Sequence, residues 1–237
     1  MSLIATTASA DAGDQHPENW QPYQPKFLEL KPGYKLYLPD GGHSILVDTP
    51  DKPHYFHLDT RDSEANRWHL ANAVRLTSSC FAEIRTVEQA RELCELLLSG
   101  GLVEDAETYQ KLLKVHRDFG RKQIVADNEL VFKPTAKALE GGFQIEFTAF
   151  HEPHTMGAQS VVARFKFFVA KDATFELEGG KTYLESMYLN WQTGPLDTKE
   201  KQLEEGKQLG QVRDFLGECY KCCSTRLPRM PEGKKNP

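Results

Sequence analysis

FQIEFTAF (143–150), VVARFKFFVA (161–170), TFELE (174–178) and TYLESMYLNW (182–191) are the segments on which the fold of this chain turns. In the first, Phe143, Ile145, Phe147 and Ala149 alternate with Gln144, Glu146 and Thr148. In the second, Val161, Ala163, Phe165, Phe167 and Val169 alternate with Arg164 and Lys166. A period of two sends one set to each face of an extended strand. The polar face is acidic on one strand and basic on the next, a match for cross-strand pairing. Lys171-Asp172 and Gly179-Gly180 read as tight turns, so the region from Gln144 to Trp191 predicts a meander. Its last piece also fits a helix, because Leu184, Met187, Tyr188 and Trp191 repeat at helical spacing behind a Thr182/Glu185 cap; a strand is the preferred reading.

Working toward the amino terminus, two helices precede this region. Thr86 and Gln89 form a capping box ahead of Val87, Ala90, Leu93, Cys94 and Leu97, and Ser99-Gly100-Gly101 ends that helix. A second runs from Glu104 to about Phe119, acidic at its start and basic at its end as the helix dipole favours. Leu70–Ile84 predicts one or two further strands. Earlier still, KFLEL, YKLYLP, HSILVDT and HYFHLDT are short alternations of strand type, with Asp40-Gly41-Gly42 as a hairpin connector. Residues 1–24 are polar and read as a flexible leader.

Beyond Gly194-Pro195, an amphipathic helix from Thr198 to about Cys223 carries Leu209, Val212, Leu216, Cys219 and Cys223 on one seam. Residues 224–237 form a basic tail. The sum is an α+β fold: a mostly antiparallel sheet, a meander in its second half, packed against two central helices and a carboxyl-terminal one, in a single domain from 25 to 223.

Composition narrows function mainly by exclusion. At 237 residues, 39% hydrophobic and 27% charged, the chain suits a soluble globular protein. A net charge of −5 gives no electrostatic basis for nucleic-acid binding. No apolar run reaches the ~20 residues of a membrane span, and the amino terminus lacks the basic start of a signal peptide. Five sparse cysteines, an odd number, predict a reducing, cytoplasmic setting.

Candidate chemistry sits in three motifs. His54-x-x-His57 with Asp59, and His151-x-x-His154, offer the nitrogen and oxygen ligands that zinc takes. On a strand, members of such a pair point to opposite faces, which counts against one shared metal; His151 and His154 flank Pro153 and read as a loop, where that restriction relaxes. Cys219-x-x-Cys222-Cys223 has no partner half-site, and two of its thiols continue the apolar seam, so packing cysteines are the reading. Gly179-Gly180-Lys181-Thr182 ends like a phosphate loop, but Phe175 stands where that loop needs glycine. Neither GxSxG nor GxGxxG occurs, and no motif names a cofactor.

Two functions follow. The favoured one is a non-catalytic intracellular binding or assembly protein. It would use an aromatic-rich groove between sheet and helices, marked by Phe150, Phe168, Tyr188 and Trp191, for a partner protein or an apolar small molecule. The alternative is a metal-dependent or acid–base enzyme built from His54, His57, Asp59, His151 and His154. Oligomeric state is not written in these patterns.

Overall fold

The computed structural model describes residues 20–39, 45–49, 53–56, 64–98, 101–116, 122–123, 130–151, 159–187 and 214–223. Strands β1 (Trp20–Tyr23), β2 (Lys35–Pro39), β3 (Ile45–Asp48) and β4 (Pro53–Phe56) form a four-stranded antiparallel sheet in chain order. Helices α1 (Glu64–Cys80), α2 (Val87–Leu97) and α3 (Ala106–His116) follow. A second sheet combines β5 (Lys122–Gln123), β6 (Thr135–Leu139), β7 (Gly142–His151), β8 (Gln159–Ala170) and β9 (Phe175–Met187) in the order β5-β9-β8-β7-β6. Helix α4 covers residues 214–222. The fold is α+β, with the predicted meander running from β6 to β9.

The alternation of β7 and β8 works as the sequence requires. Phe147 lies opposite Phe165 and Ile145 opposite Phe167, and all four are buried in one apolar cluster with α2. On the other face Glu146 lies opposite Lys166. Arg164 reaches Glu146 at 3.3 Å, and Lys166 reaches Glu178 on β9 at 2.6 Å. The polar face is therefore a ladder of alternating charge.

Helix α2 lies at the centre. Its capping box forms as expected, the Thr86 hydroxyl accepting from Gln89 N while the Gln89 side chain accepts from Thr86 N. Seven of its residues are buried, Glu92 and Glu95 among them, because it packs in one cluster with Leu36 and Val47 of the small sheet and with the apolar face of the large one. Helix α3 is started by the Asp105 carboxylate, which accepts from Thr108 N at 2.7 Å. That bond holds the Asp105 carboxyl below its ordinary range.

Several expectations are corrected. Leu70–Ile84 is not strand: α1 runs to Cys80, so the central helices number three among the described residues. Ala73, Thr77 and Cys80 are buried at helical spacing. The Thr77, Ser78 and Ser79 hydroxyls turn back to carbonyls three or four residues earlier, which lets a Thr-Ser-Ser run stay helical. Trp20–Tyr23, assigned to the leader, form β1. KFLEL is a strap that bends at Lys26 and Phe27, so that the three successive amides of Lys26, Phe27 and Leu28 donate to Glu92, and five alternating residues cannot distinguish it from a strand.

Gly179-Gly180 is not a turn. β9 continues through it, and these two glycines oppose the single residue Phe165, a bulge of the kind strand glycines mark. A second irregularity between Val162 and Ala163 leaves Tyr183 as an extra residue, so Tyr183 and Leu184 are buried in the same cluster despite being neighbours. Lys171-Asp172 does make the predicted turn. Ala173 takes a φ of 64°, and the Asp172 carboxylate accepts from both Thr174 N and its hydroxyl. Residues 188–191 and 198–213 lie outside the described residues.

Candidate binding site

Two places gather the side chains that could bind or react. The first is the end of β7. Phe150 is fully buried on the polar-ladder side, beneath α3 and α4. The His116 ring stands edge-on to it at 5.9 Å and the Tyr220 ring at 4.8 Å, and Phe215 is edge-on to His116 at 4.9 Å. His151, the next residue, turns to the opposite face, edge-on to Phe165 at 6.0 Å. Residues 101–103 run beside this end of β7. Phe150 N donates to Gly101 O at 2.8 Å, and Val103 N to Thr148 O at 2.9 Å.

Segment 130–134 crosses the same face. The Thr148 hydroxyl donates to Val131 O at 2.6 Å, and Arg164 donates to the carbonyls of Val131 and Lys133. Val131 N in turn donates to the Tyr183 hydroxyl at 3.2 Å. The far face of the large sheet is thus covered by α3, α4 and this strap, leaving the charge ladder as its open part.

The predicted site residues spread accordingly. Phe150 is core, whereas Phe168 is half-buried at the other end of the face, in register with Gln144 and Glu176. Tyr188 and Trp191 lie outside the described residues. His54 is on β4 opposite Val47, in the small sheet, and His151 is on β7 opposite Val161, in the large one. His57, Asp59 and His154 lie outside the described residues. Among the described residues no three His, Cys, Asp or Glu side chains are grouped to hold a metal ion.

The cysteines are packing groups for the most part. Cys80, Cys94, Cys219 and Cys223 are buried, Cys222 is half-exposed, and none is in a disulfide. Burial pushes the Cys80 thiol up to about 12 and raises those of Cys94 and Cys219 as well. Such thiols stay protonated and unreactive at neutral pH. Iodoacetamide at pH 7.5 is expected to alkylate native protein at Cys222 first, the other four following only on unfolding, as peptide mass mapping would read. Because these folded-state values lie above the ordinary 9.0, the folded state holds more protons there. Stability should be fully present below pH 9 and be lost as pH climbs toward 12.

The second place is a cleft between the small sheet and helices α1 and α2. Leu36 and Val47, paired across β2 and β3, form one wall; Leu76, Thr77, Cys80, Phe81, Leu93, Leu96 and Leu97 form the rest. Only Thr77 and Cys80 contribute a heteroatom, and the Thr77 hydroxyl is already donated to Val74 O at 2.9 Å. The open volume is about 10 Å³, the room of a single water.

Beside the cleft is a contact with little sign in the sequence. The Glu92 carboxylate accepts from the backbone amides of Lys26, Phe27 and Leu28, each at 2.7 Å, and from the Tyr23 hydroxyl at 3.2 Å. Burial, then the charge of Glu92, raises the pKa of the Tyr23 phenol. The hint in the sequence is an acid, Glu92, one helical turn before the apolar Leu96. Comparison with protein-family models, curated proteins and solved structures returned no match.

Proposed function

We propose that this protein acts by binding rather than by catalysis, and that its ligand is an apolar small molecule held between the four-stranded sheet and helices α1 and α2. The observation that carries this reading is the cleft itself, whose lining side chains are apolar apart from Thr77 and Cys80. Ligand pockets are mostly apolar with few polar groups, and this one sits where two layers meet. The buried acids support it too. Glu92 is engaged by backbone amides, and Glu95 is paired with Arg91 at 2.9 Å, so each has a structural task. A histidine–acid site would need His54 and His151 to converge from different sheets.

Titration with 8-anilinonaphthalene-1-sulfonate tests the proposal. One saturable site per folded chain is expected. Leu76→Trp, at a half-buried position in the lining, should weaken binding at least tenfold while leaving the circular dichroism spectrum unchanged. Absence of binding by the folded wild type, or indifference to the filled cleft, would remove this reading.

A further inference from the structure

We propose that β6, the open edge of the five-stranded sheet, takes up an extended acidic segment of a partner protein as a further strand. The inference goes beyond the cleft and does not depend on it. An edge strand directs every second amide and carbonyl away from its sheet, a template for another chain. At the opposite edge β5 is two residues long, too short to hold one. β6 pairs with β7 along its whole length, Thr135 to Leu139, and is exposed at every residue.

The polar face decides which chain would fit. Its charge changes sign from strand to strand: Glu176 and Glu178 on β9, Arg164 and Lys166 on β8, Glu146 on β7, Lys137 on β6. Lys166 is taken by Glu178 at 2.6 Å, and Arg164 by Glu146 at 3.3 Å. The second oxygen of Glu146 accepts from Gln144 Nε2 at 2.7 Å, so that carboxylate is engaged on the β8 side and within its own strand. Lys137, opposite Gln144, has no carboxylate partner among the described residues, and neither has Lys133 just before the strand. The ladder therefore stops at a basic strand, and opposite charges facing each other across two strands are favourable.

The other face sets a second requirement. Ala136 and Ala138 lie opposite Ile145 and Phe143, on the side where the sheet packs against α2, and both are exposed. Apolar side chains entering beside these two small residues would extend the face that carries Ile145 and Phe143. The fitting segment is thus an alternation of acidic and apolar residues, with backbone bonds supplying affinity and the two faces selection. A second copy of β6 fits badly. Antiparallel pairing about a two-fold axis keeps like faces together and sets one basic strand against another. The lysine that keeps two such edges apart attracts an acidic strand.

Fluorescence anisotropy of fluorescein-labelled heptapeptides, titrated with the full chain, tests this. Alternating glutamate and valine is expected to bind at least tenfold more tightly than alternating lysine and valine, or than the same glutamates and valines in two blocks. N-methylation of alternate peptide amides should abolish binding in one frame and spare it in the other, since one edge of the peptide meets β6. Lys137→Glu, at an exposed position, should leave the circular dichroism spectrum unchanged. It should weaken binding of the glutamate peptide at least fivefold and strengthen that of the lysine peptide. No binding of the glutamate peptide, equal binding of the block sequence, or indifference to both methylation frames would each overturn the proposal. So would a dimer in sedimentation equilibrium that the peptide dissociates, because the edge would then belong to a second copy.

Discussion

Glu92→Gln should lower the free energy of unfolding by about 2–3 kcal/mol, read as a shift in the urea midpoint at unchanged slope. The side chain keeps its size, but one oxygen becomes an NH₂ group facing amides that can only donate. In the native protein one oxygen accepts from Lys26 N and the Tyr23 hydroxyl, the other from Phe27 N and Leu28 N. Whichever way the amide turns, at least one bond becomes a donor–donor clash in a buried place. Tyr23→Phe removes the longest of the four contacts and leaves the carboxylate its three amides, so it should cost no more than about 1 kcal/mol. A Gln variant as stable as the wild type would mean that water takes the place of the carboxylate, and that the strap is not fixed as described.

The second large effect is steric. A methyl group at Gly142 would lie 2.2 Å from Val169 O and 3.0 Å from both Ala170 Cα and Phe168 Cζ. Two of those three atoms are backbone of the neighbouring strand, which cannot step aside without losing ladder bonds. Gly142→Ala is expected to destabilise by about 2–3 kcal/mol. Gly101→Ala meets the same obstacle, with Phe150 O at 2.5 Å. Gly217 on α4 provides the control, since nothing lies within 4 Å of its would-be Cβ. There, Gly217→Ala should stabilise by about 0.5–1 kcal/mol through helix propensity alone. Thermal unfolding of the three variants side by side separates collision from propensity; equal effects would contradict the close approach at Gly142.

What was legible in the chain follows from which interactions are local. The alternation in 143–150 and 161–170 gave strands, faces and the charge match of Glu146 with Lys166, because period and polarity repeat within each segment. The Thr86/Gln89 cap was readable for the same reason, as both partners lie within four residues. The errors fall where distant residues decide. Glu92 takes amides 64 to 66 residues away, so KFLEL could not be told from a strand by its own pattern. Gly179-Gly180 has the composition of a turn, and only the register against Phe165 shows it to be a bulge. In α1 the Val, Thr and Ser content favoured extended backbone until the buried side of Ala73, Thr77 and Cys80 decided the matter. As for the site, the apolar cleft draws one or two residues from each of several segments, and no segment carries its signature.

The near-complete burial of α2 bears on how the polypeptide is made and divided. One side of the helix is closed by residues before it in the chain, the other by β7 and β8, which a ribosome completes some seventy residues after the helix itself. Until then the side of α2 that packs on β7 is uncovered, and the nascent chain carries an unfinished core. No cut between α3 and β5 yields two pieces that each enclose their own apolar residues. Both buried clusters draw residues from before and after that point of the chain.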